Sequence, residues 1–406
     1  MSEPPSSIWR HGPLMRFWLA RTATSIAFQM QAVAVGWQLY DLTANPVDLG
    51  LVGLIQFIPV LLLILITGQV VDRHDRRIVL ALAQAVEAAG ALALTLATLL
   101  GVIDARVIFA TVFVLGAARS FDMTAQQSML PAIVPPAMLP RAVAAVASSN
   151  QAATIAGPAL GGVLYIAGPS VVYLTCCALS LAATLLVLSV RVEQATARRE
   201  PFSMTVLFAG VGYIRNNPIV LGALSLDLFA VLLGGATALL PIFARDVFAV
   251  GPWGLGILRA APAVGALAIS VVLMHAPLRN HVGRSMFAAV AAFGAATVVF
   301  AWSTSLALTL AALAVLGASD MFSVVIRQTL VQVETPDAVR GRVSAVNTLF
   351  VGTANRLGDF RAGLMAAWLG TIPAVMVGGI GALLVVLVGR RVFNKLYRVE
   401  TFETRG

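Results

Sequence analysis

Twelve apolar stretches of about 20 residues, separated by short polar breaks, run the length of this 406-residue chain. Each is long enough to cross a bilayer as a helix. They fall at roughly 14–41, 48–71, 78–100, 106–129, 141–166, 170–190, 218–244, 253–275, 285–302, 306–328, 342–368 and 371–389. The first is too long and too polar-spotted for a cleaved signal peptide. Composition agrees with this pattern. Hydrophobic residues make up 59% and charged residues only 11%, too few charges to clothe a soluble protein. An all-α integral membrane protein is the predicted class.

Where the charges fall predicts which side each loop faces. The 27 Lys and Arg exceed the 18 Asp and Glu by nine. Most of the basic residues lie at the N-terminus, in the loops from even to odd spans, or in the C-terminal tail. Arg106 and Arg245 are the only ones in the opposite loops. By the positive-inside rule both termini are cytoplasmic. The basic excess therefore reads as a topology signal, and no nucleic-acid partner is expected.

Several chemistries are disfavoured by what the chain lacks. Lys395, in the tail, is the only lysine, so there is no Walker A loop and no mid-membrane lysine for a retinal Schiff base. Cys176 and Cys177 are adjacent, a spacing that rarely bridges. His11, His74, His275 and His281 show no ligand spacing. No metal site, no cofactor and no catalytic cluster at a membrane face is expected, which argues against an enzyme.

The longest polar segment between spans, 191–217, divides the chain into halves at 1–190 and 218–389, with a tail at 390–406. The halves resemble each other at an offset of 201 residues: Gly116 with Gly317, Phe121 with Phe322, Gln127 with Gln328, Pro135 with Pro336, Arg141 with Arg342, Gly157 with Gly358, and Gly162 with Gly363. Duplicated six-span halves are a secondary-transporter design, in which the substrate binds between the halves near mid-bilayer.

Two motifs point to one family. The loop after the second span reads Gly68-Gln69-Val70-Val71-Asp72-Arg73-His74-Asp75-Arg76-Arg77. It resembles the G-x-x-x-D-R-x-x-R-R signature of the major facilitator superfamily, in which Gly68, Asp72, Arg73, Arg76 and Arg77 would form a gate latch, the glycine permitting close helix approach. The corresponding loop of the second half, Arg279 to Arg284, has no acid and looks like a degenerate copy. In the fifth span Gly157-Pro158-Ala159-Leu160-Gly161-Gly162 resembles the G-P-x-x-G-G motif of that family's antiporters. The alternative for Gly157, Pro158, Gly161 and Gly162 is ordinary small-residue helix packing. Similarity over nearly the whole chain, including Trp37-Gln38-Leu39-Tyr40-Asp41 and Asn355-Arg356-Leu357-Gly358-Asp359-Phe360, is to the enterobactin-exporter branch.

The resemblance implies a major facilitator fold of twelve helices in two pseudo-symmetric halves, embedded in the bacterial inner membrane as a monomer. It implies proton-driven export of a small organic molecule, siderophore or drug-like, by alternating access, with the lipid bilayer and protons as the other partners. An uncoupled facilitator or lipid transporter is the nearest rival. A non-transporting sensor is a more distant one.

Ionisable groups within spans point to a pathway, because lipid makes unpaired charge costly. Asp227 lies about 13 Å into the seventh span at 1.5 Å per residue. It is either a proton carrier or the structural partner of an arginine, with Arg259 and Arg356 as candidates. Glu87 in the third span is a second proton site or a packed side chain. Arg21 can snorkel from the first span, and Asp320 and Arg327 suit a gate network. Arg356 and Asp359, three residues apart on the eleventh span, share a face and can neutralise each other, while Arg361 points elsewhere. Arg259 and Arg361 complete the expected charge network. Gln31, Trp37, Gln38 and Gln56 would suit an amphipathic organic substrate alongside Arg356 and Asp359, or else make interhelical hydrogen bonds.

Overall fold

Pro, Asp and Asn punctuate the apolar runs and decide where the helices begin. Asp75 caps α3 and Asp104 caps α4, each carboxylate accepting a backbone amide of the first turn. Asn217 caps α8 by accepting the amides of Ile219 and Val220 at 3.0 and 3.1 Å. Proline opens α2, α6 and α8 at the position where its missing N–H leaves no hydrogen bond unmade. A computed structural model describes residues 11–190 and 204–402. Arg10, the first part of the expected linker (191–203) and the last tail residues (403–406) lie outside the described residues.

The helices are α1 Gly12–Thr43, α2 Pro46–Arg73, α3 Arg76–Leu99, α4 Ala105–Ile133, α5 Leu139–Leu164, α6 Pro169–Leu188, α7 Met204–Asn216, α8 Pro218–Gly234, α9 Leu240–Ile242, α10 Gly251–His275, α11 Val282–Trp302, α12 Leu306–Glu334, α13 Asp337–Leu369, α14 Thr371–Val392 and α15 Asn394–Tyr397. Among the described residues there is no strand. Among the described residues nine elements are both long and apolar enough to cross a membrane, one of them running Pro218–Val247 through α8 and α9. The remaining long helices, α1, α5 and α13, have 32, 26 and 33 residues but carry more polar side chains.

Two expectations change. The 191–217 segment is not wholly a polar linker: α7 occupies its second part, with Gly210 against the backbone of Arg342 on α13. The Tyr213 hydroxyl also donates to the Glu334 carbonyl. The seventh span is not one helix. It stops at Gly234, passes through a 3-10 turn at Thr237–Leu239, and resumes as α9 and a π-helical turn at Phe243–Val247. The adjacent glycines Gly234 and Gly235 sit at the break.

The internal repeat reappears as equivalent backbone contacts. Gly116 of α4 meets the Gln56 carbonyl of α2, and Gly317 of α12 meets the Pro262 carbonyl of α10. Gly157 faces Gln29 and Ile26 of α1, and Gly358 faces Val231 and Leu232 of α8. Gly162 touches Pro252 and Gly256, and Gly363 touches Pro46 and Gly50. Pro135 and Pro336 stand just before the next helix with nearly identical backbone angles. The chain forms two compact units. One holds α1, α2 from Ile55 on, α3 to α6, and Gly251–Ala260. The other holds Asn45–Leu54, α7 to Val250, and the chain from Ala261 onward. Contacts at Gly162 and Gly256 explain why the start of α10 groups with the first unit. Those at Gly50 and Gly363 explain why the start of α2 groups with the second.

Gly68 is a correction: a Cβ there would meet nothing within 4 Å, so it is not a close-packing glycine in this structure. A Cβ on Gly317 would instead lie 2.0 Å from the Pro262 carbonyl oxygen. Gly317→Ala is expected to lower stability by about 1–3 kcal/mol or more through overpacking, and Gly68→Ala to stay within about 0.5 kcal/mol of wild type. Unfolding of the two purified variants in detergent checks this; equal stability would contradict the contact.

Candidate functional site

Each unit carries a buried charge cluster, and the two lie on stretches related by the 201-residue offset. In the first unit Arg119 and Asp122 of α4 form an ion pair at 2.9 Å, with Asp122 fully buried. Gln126 donates to both carboxylate oxygens of Asp122 at 2.8 and 2.9 Å. Arg119 also lies over the Phe28 ring of α1, 4.7 Å from its centroid. Arg21 stands within electrostatic range of this pair, and its Nε donates to Asn150 Oδ1 of α5 at 3.4 Å. Ser25 donates to the same oxygen at 3.1 Å. Arg21 therefore belongs to an interhelical network rather than snorkelling alone. Glu87 of α3 stands within electrostatic range of Asp122 and Arg119.

In the second unit Asp227 of α8 pairs with Arg327 of α12 at 3.4 Å, both almost fully buried. The partner is Arg327 and not Arg259 or Arg356, because α8 packs along α12 and brings this arginine to the carboxylate. Arg327 Nη1 also donates to Asn347 Oδ1 of α13 at 2.5 Å. Asp227, Ser319, Asp320 and Ser323 line a cavity closed by Ala230, Val231, Val290 and Phe293. It has room for about one water molecule, so it suits a small ion or a proton-bearing water and not an organic substrate. Asp320 thus sits in this cluster rather than in a separate gate.

The offset of 201 that relates the glycines also relates the clusters. Arg119, Asp122 and Gln126 correspond to Asp320, Ser323 and Arg327. The charges are redistributed: α4 supplies both Arg119 and Asp122 of its pair, whereas α12 contributes Arg327 to Asp227 of α8. An asparagine, from α5 or α13, accepts from an arginine in each.

A second polar group surrounds the break in the seventh span. Arg361 donates to the Leu233 carbonyl, one of the last carbonyls of α8, where the helix dipole favours a cation. It also reaches Met365 Sδ at 3.0 Å. The Thr237 hydroxyl donates to Asp359 Oδ1 at 3.2 Å. Gly53 of α2 lies against both Arg356 and Asp359. Arg259 stands on α10, in the stretch Gly251–Ala260 that groups with the first unit.

The glutamine and aromatic set does not act as one lining. Gln38 is buried, donating to Thr98 Oγ1 at 3.2 Å and accepting from the Tyr173 hydroxyl at 2.8 Å. Its amide ties α1 to α3 and α6, so it is a structural residue here. Trp37 packs edge-on to Tyr165, with centroids 6.4 Å apart. Gln56 contributes its backbone to the Gly116 contact. Gln31 differs: its Nε2 is buried without a hydrogen-bond partner among the described residues.

In the signature loop, Arg76 Nη1 donates to the Ser128 carbonyl at 3.2 Å and Arg77 Nη1 to the Val190 carbonyl at 3.4 Å. Asp75 accepts the Arg77 amide and pairs with its guanidinium at 3.6 Å. Asp72 and Arg73 are exposed. In the antiporter-like motif Gly157 and Gly161 contact α1, while Pro158 and Gly162 contact α10. Arg119, Asp122, Gln126, Asn150 and Asn347 are absent from the sequence-derived candidates. The rule that selects Asp227, charge inside an apolar span, would have found the first two.

This arrangement of duplicated helical units, each with a buried charge cluster, defines a membrane transporter of the major facilitator kind. The chain belongs to the transmembrane secretion effector family of that superfamily, whose profile matches residues 6–404. It is 25% identical to the uncharacterized MFS-type transporter YfiS of Bacillus subtilis, over 97% of each chain. It is 24% identical to the enterobactin exporter EntS of Citrobacter koseri, over 96% of this chain and 93% of that one. In fold it is similar to a mutant of the nucleoside transporter NupG, with a TM-score of 0.77, 12% identity and 94% and 100% of the two chains covered. A bacterial homolog of the human lysosomal transporter Spinster gives a TM-score of 0.76 at 13% identity, covering 98% of each chain.

The unequal charge balance of the two clusters has a measurable consequence. Asp122→Asn leaves Arg119 and Arg21 with Glu87 as the nearby acid and is expected to cost about 3 kcal/mol or more. Asp227→Asn leaves Arg327 beside Asp320 and is expected to cost less than half of that. Thermal unfolding of the purified variants tests the order, and a reversed order would contradict the cluster assignments.

Proposed function

We propose that the protein exports a small organic molecule by alternating access, in antiport with protons. The observation that carries the coupling is the cavity of the second unit, lined by two carboxylates, Asp227 and Asp320, of which Asp227 is paired with Arg327. One negative charge is in excess, and lipid-buried charge calls for a counterion or a proton. Asp227 holds Arg327, so Asp320 is the carboxylate that loads the proton, with Asp227 as its electrostatic partner. Glu87 has the corresponding role in the first unit. A proton shifts the equilibrium between inward and outward states only through different affinity in the two. Movement of Arg327 between Asp227 and Asp320 would supply that difference.

The enterobactin exporter relatives and the full-length family match favour a siderophore or drug-like substrate. Gln31, Arg356, Asp359 and Trp37 are the groups proposed to contact it, Gln31 because its buried amide lacks a partner. Both termini are proposed to be cytoplasmic in a bacterial inner membrane, and the working unit a monomer of two six-span halves. In that topology Asp72, Arg73, Arg76 and Arg77 act as the inner gate latch. The glycine motif of α5 then seals the opposite end against leak.

Purified protein in liposomes with an internal pH dye tests the coupling against a panel including enterobactin, cationic drugs and sugars. Substrate-triggered proton movement is expected, and it is expected to fall at least tenfold in Asp320→Asn. Substrate transport that survives collapse of the pH gradient would favour the uncoupled facilitator. Unchanged proton movement in both Asp320→Asn and Asp227→Asn would remove the cavity from the mechanism.

A further inference from the structure

The third and ninth spans begin in contrasting ways. α3 starts on Asp75, which caps the helix and pairs with Arg77. At the equivalent place α11 starts on His281, in the left-handed conformation at φ 58°, with no side-chain cap. The loop before it, Arg279 to Arg284, contains no acid. The first amides of a helix need acceptors from elsewhere, and the C-terminal tail supplies them. The Gly283 amide donates to the Val399 carbonyl at 2.9 Å, and the Val282 amide to the Glu400 carbonyl at 3.3 Å. The Glu400 carboxylate lies 3.4 Å from Arg284 Nη2 and 3.5 Å from His281 Nε2.

Packing shows that this is a built seat. Leu396 is fully buried in a core with Met286, Phe287 and Val290. Tyr397 stands edge-on to Phe287 at 5.5 Å and carries Arg390 over its ring at 4.8 Å. The seat exists because residue 283 is glycine: a Cβ there would lie 2.0 Å from the Leu396 carbonyl oxygen.

We propose that residues Asn394 to Phe402 form a clasp that completes the second-half signature loop. Glu400 is its positioning residue, standing in for the acid the loop lacks. The docked clasp fixes the start of α11, and its release frees the loop between α10 and α11. The tail is thereby a handle through which the second half is controlled. The clasp rests on contacts within one unit and holds whatever the substrate or coupling ion.

Hydrogen–deuterium exchange of the full-length protein in detergent reads the clasp directly, because protection reports the local opening equilibrium. Glu400→Gln removes half-exposed ion pairs and is expected to speed exchange at Val282 and Gly283 by about two- to fivefold. Arg284→Glu should do the same, and the double variant Arg284→Glu/Glu400→Arg should return to within about twofold of wild type. Gly283→Leu should evict the tail and speed exchange on the order of tenfold at both the start of α11 and residues 394–402. Wild-type protection in Gly283→Leu would overturn the clasp. A charge-swapped double variant as fast as the single variants would overturn the role of Glu400.

Discussion

A charge inside a bilayer is tolerated only when its partner is built into the same protein, and the polar architecture of this chain follows from that constraint. Asp122 is fully buried yet engaged on both oxygens by Arg119 and Gln126. Asp227 and Arg327 are equally buried and joined to each other. What the two halves share is neutralisation at fixed helix positions, not residue identity. Positions 119, 122 and 126 read Arg, Asp, Gln, and 201 residues later they read Asp, Ser, Arg. A duplicated scaffold can redistribute the charges at such a site while its helices pack as before, since packing is set by the glycines around it.

Those glycines were the most legible part of the fold. Gly116 and Gly317, Gly157 and Gly358, and Gly162 and Gly363 stand out as a register in the sequence, and each stands at a close contact with another helix. Small residues at close helix crossings admit no substitute with a side chain, so their spacing survives divergence that erases most other similarity. The all-helical, membrane-spanning character and the position of the signature loop were legible for the related reason that hydropathy is a local property. Pair identities were not. Asp227 and Arg327 are 100 residues apart in the chain, and no spacing rule connects them. Arg119 and Asp122, an i, i+3 pair on one helix, lay within reach of the rule for charge inside an apolar span and were missed. Gln38 looked like a pathway residue because its partners, Thr98 and Tyr173, lie on two other helices.

The broken seventh span was also invisible to hydropathy, because Gly234-Gly235 interrupts the backbone without interrupting the apolar run. A helix that ends within a membrane leaves carbonyls that water cannot reach, and a neighbouring element must supply donors. Here that element is α13. Arg361 donates to the Leu233 carbonyl, Thr237 finds Asp359, and Gly358 lets α13 approach the Val231 and Leu232 backbone. This accounts for the polarity of α13, which is too rich in charge to pass as an apolar span. The polar eleventh span and the broken seventh are therefore one structural feature. It follows that Arg361 is committed to the backbone of α8, and that the charge of α13 is spent in part on a helix end that the membrane would otherwise leave unsatisfied.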